Sequence, residues 1–450
     1  MALIAALIYK ETKMIIASIQ DRSLGMDYYI TNSPGCGGII KSLAEDFSVT
    51  EVFEELRYEG GRYLVLDIEK TNWDTHHLIR EMARKLGISQ KRFGWAGTKD
   101  KRAVTSQRIS IMNLDEAQLS KINLPDLKIK VLGRTNRAVG LGDLLGNRFA
   151  ITIRDLSCPR PEATMSLITG EIAGGRGVPN YFGIQRFGDR RPVTHLVGEA
   201  LVRGQVEEAV YIYLARSFAG ELPRTREARE KLWADRDIAA ALKQYPEYLH
   251  YELAILNYLV GHPGDYAHSF DVLSVNLRRL FVHAYQSYLF NKILSRRLAR
   301  GMSLYRALVG DVVCFSRNGL PDISKTQKVT PDNEVAIDRL AERSRAFLTL
   351  PLIGFETALA DGVGGEIERV ILAEEAITPE NFRVDANPDL GSRGTRRAAI
   401  CPVAPQVNVM DSRAELQFVL PKGSYATVVL REYMKGHDAI EIQSKDSAEE

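Results

Sequence analysis

The densest group of chemically reactive side chains lies in residues 94–108. A glycine-containing turn there places Asp100 between Lys99 and Lys101, and Arg102 follows directly. Neighbouring cations favour the charged form of a carboxylate, so we expect Asp100 to stay ionised near neutral pH and to be available as a nucleophile. The same cations are suited to binding phosphate groups.

A solvated, charged turn that leads into a strand would have the same charge pattern and no chemical role. The residues before the charged group bear on this choice, because Phe93, Trp95 and Ala96 are apolar. Apolar flanks favour a turn that packs against a core over one that lies in open solvent.

A second segment, residues 141–149, ends in an amide and an aromatic side chain two positions apart. Asn147 and Phe149 stand at the start of a predicted strand, where alternate residues point to one face. An aromatic ring can then stack on a base while the amide hydrogen-bonds its edge. A buried phenylalanine beside a turn asparagine is the alternative. The glycines nearby lack dinucleotide-loop spacing and context, which excludes that type of site.

In a third segment, residues 178–188, aromatic residues alternate with Asn180, Gln185 and Arg186 between glycines. Aromatic and guanidinium planes beside flexible glycines are typical of sites that hold an unstacked nucleotide. An aromatic-rich tight turn is the alternative interpretation.

Short β-rich runs and one helix surround the first two segments. Asn72 or Asp74 can cap the helix, which ends at Leu86 before Gly87 and has its apolar residues on one face. The runs predicted as strands are residues 49–56, 62–68, 105–111 and 149–153. This alternation predicts an α+β layer architecture.

The character of the chain becomes helical from about Pro192 to Leu298, which indicates a second domain. Helical periodicity is clearest in residues 206–218 and 273–298. Strand-like runs return after Leu304, and we predict strands at residues 417–420 and 426–431 near the end.

Composition places few limits on the partner. The 450 residues are 45% hydrophobic and 26% charged, which is typical of a globular protein of two or three domains. The formal net charge is only +2, so any nucleic-acid signal must be local.

Cysteine usage and the first residues bear on compartment. The four cysteines are Cys36, Cys158, Cys314 and Cys401, far apart in sequence, which argues against a zinc site or a disulfide framework and favours a reducing cytoplasm. The adjacent His76 and His77 are a poor pair of metal ligands. The apolar run from Ala2 to Tyr9 lacks the flanks of a signal peptide, so we expect no membrane segment.

Six segments match, in order, the motifs of one enzyme family. They are Lys41 with residues 45–47 and Glu51, then residues 96–107, 146–149, 179–188, 283–291 and 420–427. With these motifs the chain resembles the TruD family of tRNA pseudouridine synthases from about Gly25 almost to its end.

The resemblance implies an α+β fold in which a mostly helical α+β insertion interrupts the catalytic domain. That pseudouridine-synthase domain, with a mixed, largely antiparallel sheet, would comprise residues 1–190 and 390–450. Residues 191–389 would form the insertion (TRUD) domain, and the active site would lie in the cleft facing it.

The resemblance also implies the reaction, which converts a uridine in tRNA, uridine 13 in the family, to pseudouridine after base flipping. Asp100 would be the catalytic carboxylate and Lys41 its partner. The isomerisation requires no cofactor, and we expect no metal. The residues expected to bind substrate are Asn147, Phe149, Asn180, Gln185, Arg186, Lys99 and Arg102.

Broad phosphate contacts would offset the cost of extruding the target base. We expect the arginines that make them to converge on the cleft between the domains. The candidates are Arg102, Arg108, Arg134, Arg137, Arg186, Arg190, Arg393 and Arg396.

Two other functions fit parts of the pattern. A catalytically inactive RNA-binding protein of the same fold is one, although Asp100, Lys41, Asn147 and Phe149 are all present. A carbohydrate-active or phosphoryl-transfer enzyme with paired carboxylates is the other. Its candidate pair, residues 45 and 46, would point to opposite faces of an extended segment, and we expect turn hydrogen bonds there instead.

Overall fold

A computed structural model describes residues 14–54 and 58–435 of the protein. The apolar run from Ala2 to Tyr9, residues 55 and 56 at the end of the first predicted strand, and the polar residues 444–450 lie outside this range. No helix in the described part of the chain is long and apolar enough to cross a membrane.

Within the described residues, strands predominate up to Ile153 and from Thr395 to Pro421, and helices predominate between these two regions. The strands are β1 Phe47–Val52, β2 Tyr63–Thr71, β3 Phe93–Trp95, β4 Val104–Met112, β5 Leu127–Thr135, β6 Gly146–Ile153, β7 Val178–Pro179, β8 Val312–Arg317, β9 Leu320–Lys328, β10 Ala346–Leu352, β11 Thr395–Ala398, β12 Ile400–Cys401, β13 Gln406–Met410 and β14 Arg413–Pro421. The α-helices are α1 Ile19–Ser23, α2 Thr75–Leu86, α3 Pro161–Gly174, α4 Thr194–Val202, α5 Val206–Ala215, α6 Pro223–Asp235, α7 Ile238–Gln244, α8 His250–Gly261, α9 Tyr266–Ser269, α10 Val275–Ala299, α11 Glu334–Glu342, α12 Gly362–Glu374 and α13 Ala426–Met434.

The chain divides into two compact units at residues 178/179 and 400/401. Within the described range, one unit comprises residues 30–178 and 401–435, and we call it the sheet unit. The other, the helical unit, comprises residues 14–29 and 179–400. The expected boundaries were 190/191 and 389/390, so these divisions lie outside the predicted insertion on both sides.

An eight-stranded sheet dominates the sheet unit, in the order β13-β14-β6-β1-β4-β2-β5 with β3 beside β4. The pairing of β1 with β4 is parallel and the other pairings are antiparallel. This mixed, largely antiparallel sheet confirms the predicted α+β fold class.

Helix α2 forms where the sequence predicts it. Asp74 caps its first turn by accepting a hydrogen bond from the His77 amide, and Gly87 ends it in the left-handed region at φ 67°. The buried side of α2 includes Leu78 and Met82, and it packs on apolar side chains of β2 and β4. The start of α2 is thereby fixed against the sheet, next to the segment that leads to Asp100.

The helical unit combines most of the helices with a four-stranded antiparallel sheet, in the order β11-β10-β8-β9. Its long helix α10 is buried over most of its length and matches the predicted helix at residues 273–298. Buried ion pairs, such as Arg297 with Asp311, add fixed contacts inside this unit.

The prediction of a strand at residues 426–431 is wrong, because this segment lies in helix α13. β-Branched residues suggested a strand, but the buried Ala426, Val429, Leu430 and Tyr433 have the spacing of one helical face. Tertiary packing overrides the local β propensity here.

The prediction against a disulfide is wrong for one pair of cysteines, since Cys36 and Cys158 are bonded with Cα atoms 4.6 Å apart. Bridge pairing of Ile39 with Arg154 draws the two segments together. The cysteines are 122 residues apart, so their spacing carries no signal of the pairing.

Candidate active site

One face of the eight-stranded sheet carries a row of paired residues. Across β2, β4, β1, β6 and β14 the row consists of Lys70, Thr105, Val49, Phe149 and Phe418. Residues paired on neighbouring strands project to the same face, so these side chains share one surface, which we call the site face.

The site face also carries Glu51 and Asn147, which are paired on β1 and β6 two residues along from Val49 and Phe149. The expectation that Asn147 and Phe149 share a face therefore agrees with the strand register. The Asn147 Oδ1 atom is shielded from solvent and has no hydrogen-bond partner in the described part of the chain. Phe149 is 7% exposed, stacked on Phe418 and edge-on to Phe47.

Residues 96–103 form the loop that carries Asp100, and we call it the aspartate loop. The Lys99 amide donates to Thr75 Oγ1 at the start of α2 at 3.0 Å, and Thr75 Oγ1 donates to Gln107 Oε1 at 3.1 Å. Thr75 and Gln107 are both buried. The loop is therefore attached to the helix and the sheet through side chains that solvent does not reach.

The Lys99 side chain makes a further buried attachment. Its ammonium lies 2.5 Å from Glu51 Oε1, and the two side chains are 8% and 1% exposed. Glu51 Oε2 accepts the Arg108 amide at 3.0 Å. Burial raises the pKa of Glu51 above its ordinary value, although Lys99 and the Arg108 amide oppose the shift.

Asp100, one residue further, turns to the other side. Its Oδ2 atom lies 2.6 Å from the Lys41 ammonium, and the side chains of Lys41 and Asp100 are 24% and 49% exposed. Asp100 Oδ1 makes no hydrogen bond to any residue within 14–54 or 58–435. The carboxylate thus has one oxygen held by a cation and one oxygen available.

Lys41 adopts a backbone conformation that few side chains tolerate, with φ at 59°. Its ammonium also lies 4.2 Å from the centre of the Phe47 ring. A residue held in the left-handed region costs about 1–2 kcal/mol, which surrounding contacts must offset.

The segment around Lys41 is held from both ends. Arg102 of the aspartate loop donates to the Ser42 carbonyl at 2.9 Å. Asp46, which is buried, accepts the Leu43 amide at 2.8 Å and forms a bidentate pair with Arg154. Burial alone raises the pKa of Asp46, but the bonds from Arg154 and Leu43 outweigh it and leave this pKa below its ordinary value. Asp46 therefore makes the expected turn bonds.

Comparison with known proteins places this arrangement in a family. The family model for tRNA pseudouridine synthase D (TruD) matches residues 23–433. The chain belongs to the TruD family. A protein of Methanosarcina acetivorans named probable tRNA pseudouridine synthase D is 48% identical over 426 residues, covering 92% of this chain and 96% of that protein. Its namesake from Methanococcoides burtonii is 46% identical over 425 residues, covering 92% and 97%.

A solved structure agrees with these matches. The crystal structure of the putative TruD protein from Methanosarcina mazei superimposes with a TM-score of 0.81 at 47% identity, covering 92% of this chain and 97% of that one. The resemblance recognised from the motifs is thereby confirmed, as is the TruD fold.

Three residues with expected substrate roles lie in the helical unit of this TruD protein. Asn180 is 7% exposed, donates to the Ala398 carbonyl and accepts from Arg397 at 2.6 Å. Arg186 donates to Ser287 at 3.1 Å, whereas Gln185 is exposed. Asn180 is thus used inside the unit, and Gln185 is the residue of the three that faces solvent.

Two cations expected to meet phosphate have other partners. Lys99 is paired with Glu51 in the core, as described above. Arg396 donates to the Thr349 hydroxyl and carbonyl, both at 2.9 Å, and lies 3.5 Å from Glu368. Because both side chains are engaged within the protein, we assign phosphate contact to neither Lys99 nor Arg396.

Sequence reasoning missed Lys70, which lies beneath the aspartate loop and is fully buried. A signal was present, because Leu64, Leu66, Ile68 and Lys70 alternate on β2 and the first three are core residues. A lysine that continues a row of buried apolar residues is a candidate for a functional role.

No group of three metal-ligating side chains occurs among the residues that the structure describes.

Proposed function

We propose that this protein isomerises uridine 13 of tRNA to pseudouridine, with Asp100 as the nucleophile. The observation that carries the proposal is the half-exposed ion pair of Asp100 with Lys41, on the motif loop of a TruD-family chain. Its relatives are named probable tRNA pseudouridine synthases D, which supports tRNA as the substrate.

The reaction needs a carboxylate at the sugar. The bond between uracil N1 and ribose C1′ breaks, the uracil turns, and a bond forms between C5 and C1′. The C5 proton leaves and N1 gains a proton, so the atoms balance without a cofactor. The free Oδ1 of Asp100 is placed to add to C1′ or to remove a proton from C2′, and either route needs an ionised aspartate.

Lys41 orients that carboxylate through its 2.6 Å contact with Oδ2. A lysine ammonium is a compact charge that binds one carboxylate oxygen, which leaves the second for chemistry. In our proposal the Phe149 ring is the apolar floor under the detached uracil, with Phe47 beside it. The Oδ1 of Asn147 accepts a hydrogen bond from the uracil N3–H, a donor that no residue within 14–54 or 58–435 supplies.

Exposed arginines bind the phosphates of the RNA backbone in our proposal. Arg102, two residues after Asp100, is exposed, and so is Arg137. In the helical unit, Gln185 and Arg186 are the proposed contacts. Unstacking the target base costs a few kcal/mol, which phosphate contacts offset. A cytoplasmic location is part of the proposal, because the substrate is tRNA.

The test compares the wild-type protein with Asp100→Asn on unmodified tRNA transcripts. Pseudouridine is mapped by carbodiimide-blocked primer extension, and a transcript with cytidine at position 13 serves as the matched substrate control. We expect one stop, at position 13, with wild-type protein only. Modification by Asp100→Asn would overturn the nucleophile, and a stop at another uridine would overturn the position.

A catalytically inactive RNA-binding protein of the same fold is the competing function. It predicts tRNA binding by gel shift without pseudouridine in any transcript. The complete set of Asp100, Lys41, Asn147 and Phe149 favours the enzyme.

A further inference from the structure

Lys70 is a buried cation without a carboxylate. Its side chain is fully buried at the end of β2, and its ammonium donates to the Trp73 carbonyl at 2.5 Å and lies 3.5 Å from the Asp100 carbonyl. No Asp or Glu within the described residues forms an ion pair with it. The second contact is long for a hydrogen bond, but its partner is the main chain of the proposed nucleophile.

Such an arrangement is costly for folding. Lysine is almost never fully buried without a partner, because taking an ammonium out of water costs several kcal/mol. The end of a core strand next to Ile68 would accommodate an apolar side chain instead. A cation kept at this position indicates a role other than stability.

The electrostatic setting is consistent with a charged lysine at neutral pH. Burial lowers the pKa of Lys70 to about 8, Asp74 and Asp100 oppose the shift, and Lys99 adds to it. Lys70 therefore remains an ammonium below about pH 8. It places positive charge on the buried side of the aspartate loop, whereas Lys41 supplies charge on the exposed side.

We propose that Lys70 is a positioning residue for the proposed reaction, fixing the main chain of Asp100 from beneath so that its carboxylate faces the substrate. This inference rests on the proposed function. Thr75 of the helix and Glu51 of the sheet hold Lys99, and Lys70 of the sheet holds Asp100. Two consecutive residues of the loop are therefore fixed from its buried side. Displacing a reacting group by about 1 Å costs about 100-fold in rate.

The experiment compares Lys70→Met with Lys128→Met, a control on the neighbouring strand β5 whose lysine pairs with Glu69 in solvent. Pseudouridine formation on tRNA gives kcat and KM, and thermal melting gives Tm. For Lys70→Met we expect kcat to fall about 100-fold, KM to stay within about twofold, and Tm to be unchanged or higher. The control should match the wild type in all three.

A wild-type kcat in Lys70→Met would overturn the positioning role. A large fall in Tm together with kcat would overturn it too, because Lys70 would then be a folding residue, and so would failure of both Lys70→Met and Lys70→Gln to fold.

Amide hydrogen exchange of the aspartate loop separates this inference from the proposed function. Faster exchange at residues 98–102 in Lys70→Met, but not in Lys128→Met, is expected even if wild-type protein leaves tRNA unmodified. Unchanged exchange would overturn the attachment itself.

Discussion

Two ion pairs on adjacent residues of the aspartate loop differ in almost every physical respect. Lys99 pairs with Glu51 where both side chains are nearly excluded from water, and the Glu51 carboxylate is fully used. Asp100 pairs with Lys41 where both remain partly exposed, and one carboxylate oxygen stays available. The buried pair can only hold the loop, whereas the exposed pair can act on a substrate.

The difference shows that charge pattern alone does not assign chemistry. Lys99, Asp100 and Lys101 stand together in the sequence, and a cation beside a nucleophile would suit phosphate binding. In the folded loop these neighbours turn to opposite sides, Lys99 to the buried Glu51 and Asp100 to the partly exposed Lys41. The inward residue positions the loop, and the outward residue is the proposed nucleophile.

Breaking the buried pair is expected to have the largest effect on stability. Glu51→Gln keeps the side-chain shape but leaves the Lys99 ammonium buried without a carboxylate. Loss of one partner of a buried pair costs about 3–5 kcal/mol of unfolding free energy, measured by urea denaturation. The matched control is Glu69→Gln in the exposed pair with Lys128, which water screens. Equal losses in the two variants would contradict the distinction between the pairs.

Breaking the exposed pair should affect rate rather than stability. Lys41→Met keeps the length of the side chain and removes its charge from Asp100. We expect kcat on tRNA to fall about 100-fold, or about 2.7 kcal/mol in activation free energy, with Tm nearly unchanged. Lys130→Met on β5 is the control, since Lys130 is exposed and belongs to neither pair. If KM rose while kcat stayed constant, Lys41 would bind RNA instead of orienting the carboxylate.

Lys70, the buried lysine beneath the aspartate loop, provides a test by pH. The folded-state pKa of Lys70 is about 8, below the ordinary 10.5, so between these values the unfolded chain binds more protons. The stability contribution of Lys70 therefore increases as pH rises through 8. Relative to Lys70→Met, the unfolding free energy of the wild type should rise by about 2 kcal/mol between pH 7.5 and 9.5. A constant difference from the variant would show that the lysine does not titrate in this range.

Much of the fold was predictable from local sequence. Asp74 and Gly87 mark the two ends of α2, and the periodicity of residues 273–298 predicts α10. Local patterns failed at α13, where β-branched residues indicated a strand, and at Cys36 with Cys158, which only chain pairing brings together. In both cases contacts between distant segments decided the outcome.

The candidate site divides in the same way. Its reactive residues, Asp100 and Lys41, could be named from motifs, because a family signature keeps the order of residues along the chain. Their supports could not, since Thr75 and Lys70 reach the aspartate loop only through the register of β2 with β4 and the packing of α2.

The sequence by itself determined the family, the fold class and the pair of charged residues proposed for chemistry, because these depend on residue type and order. Only the tertiary structure decided that Lys99 turns inward to Glu51 while Asp100 turns outward to Lys41. The physical reason is that burial depends on what covers a side chain, and here the cover comes from strands and a helix far away in sequence.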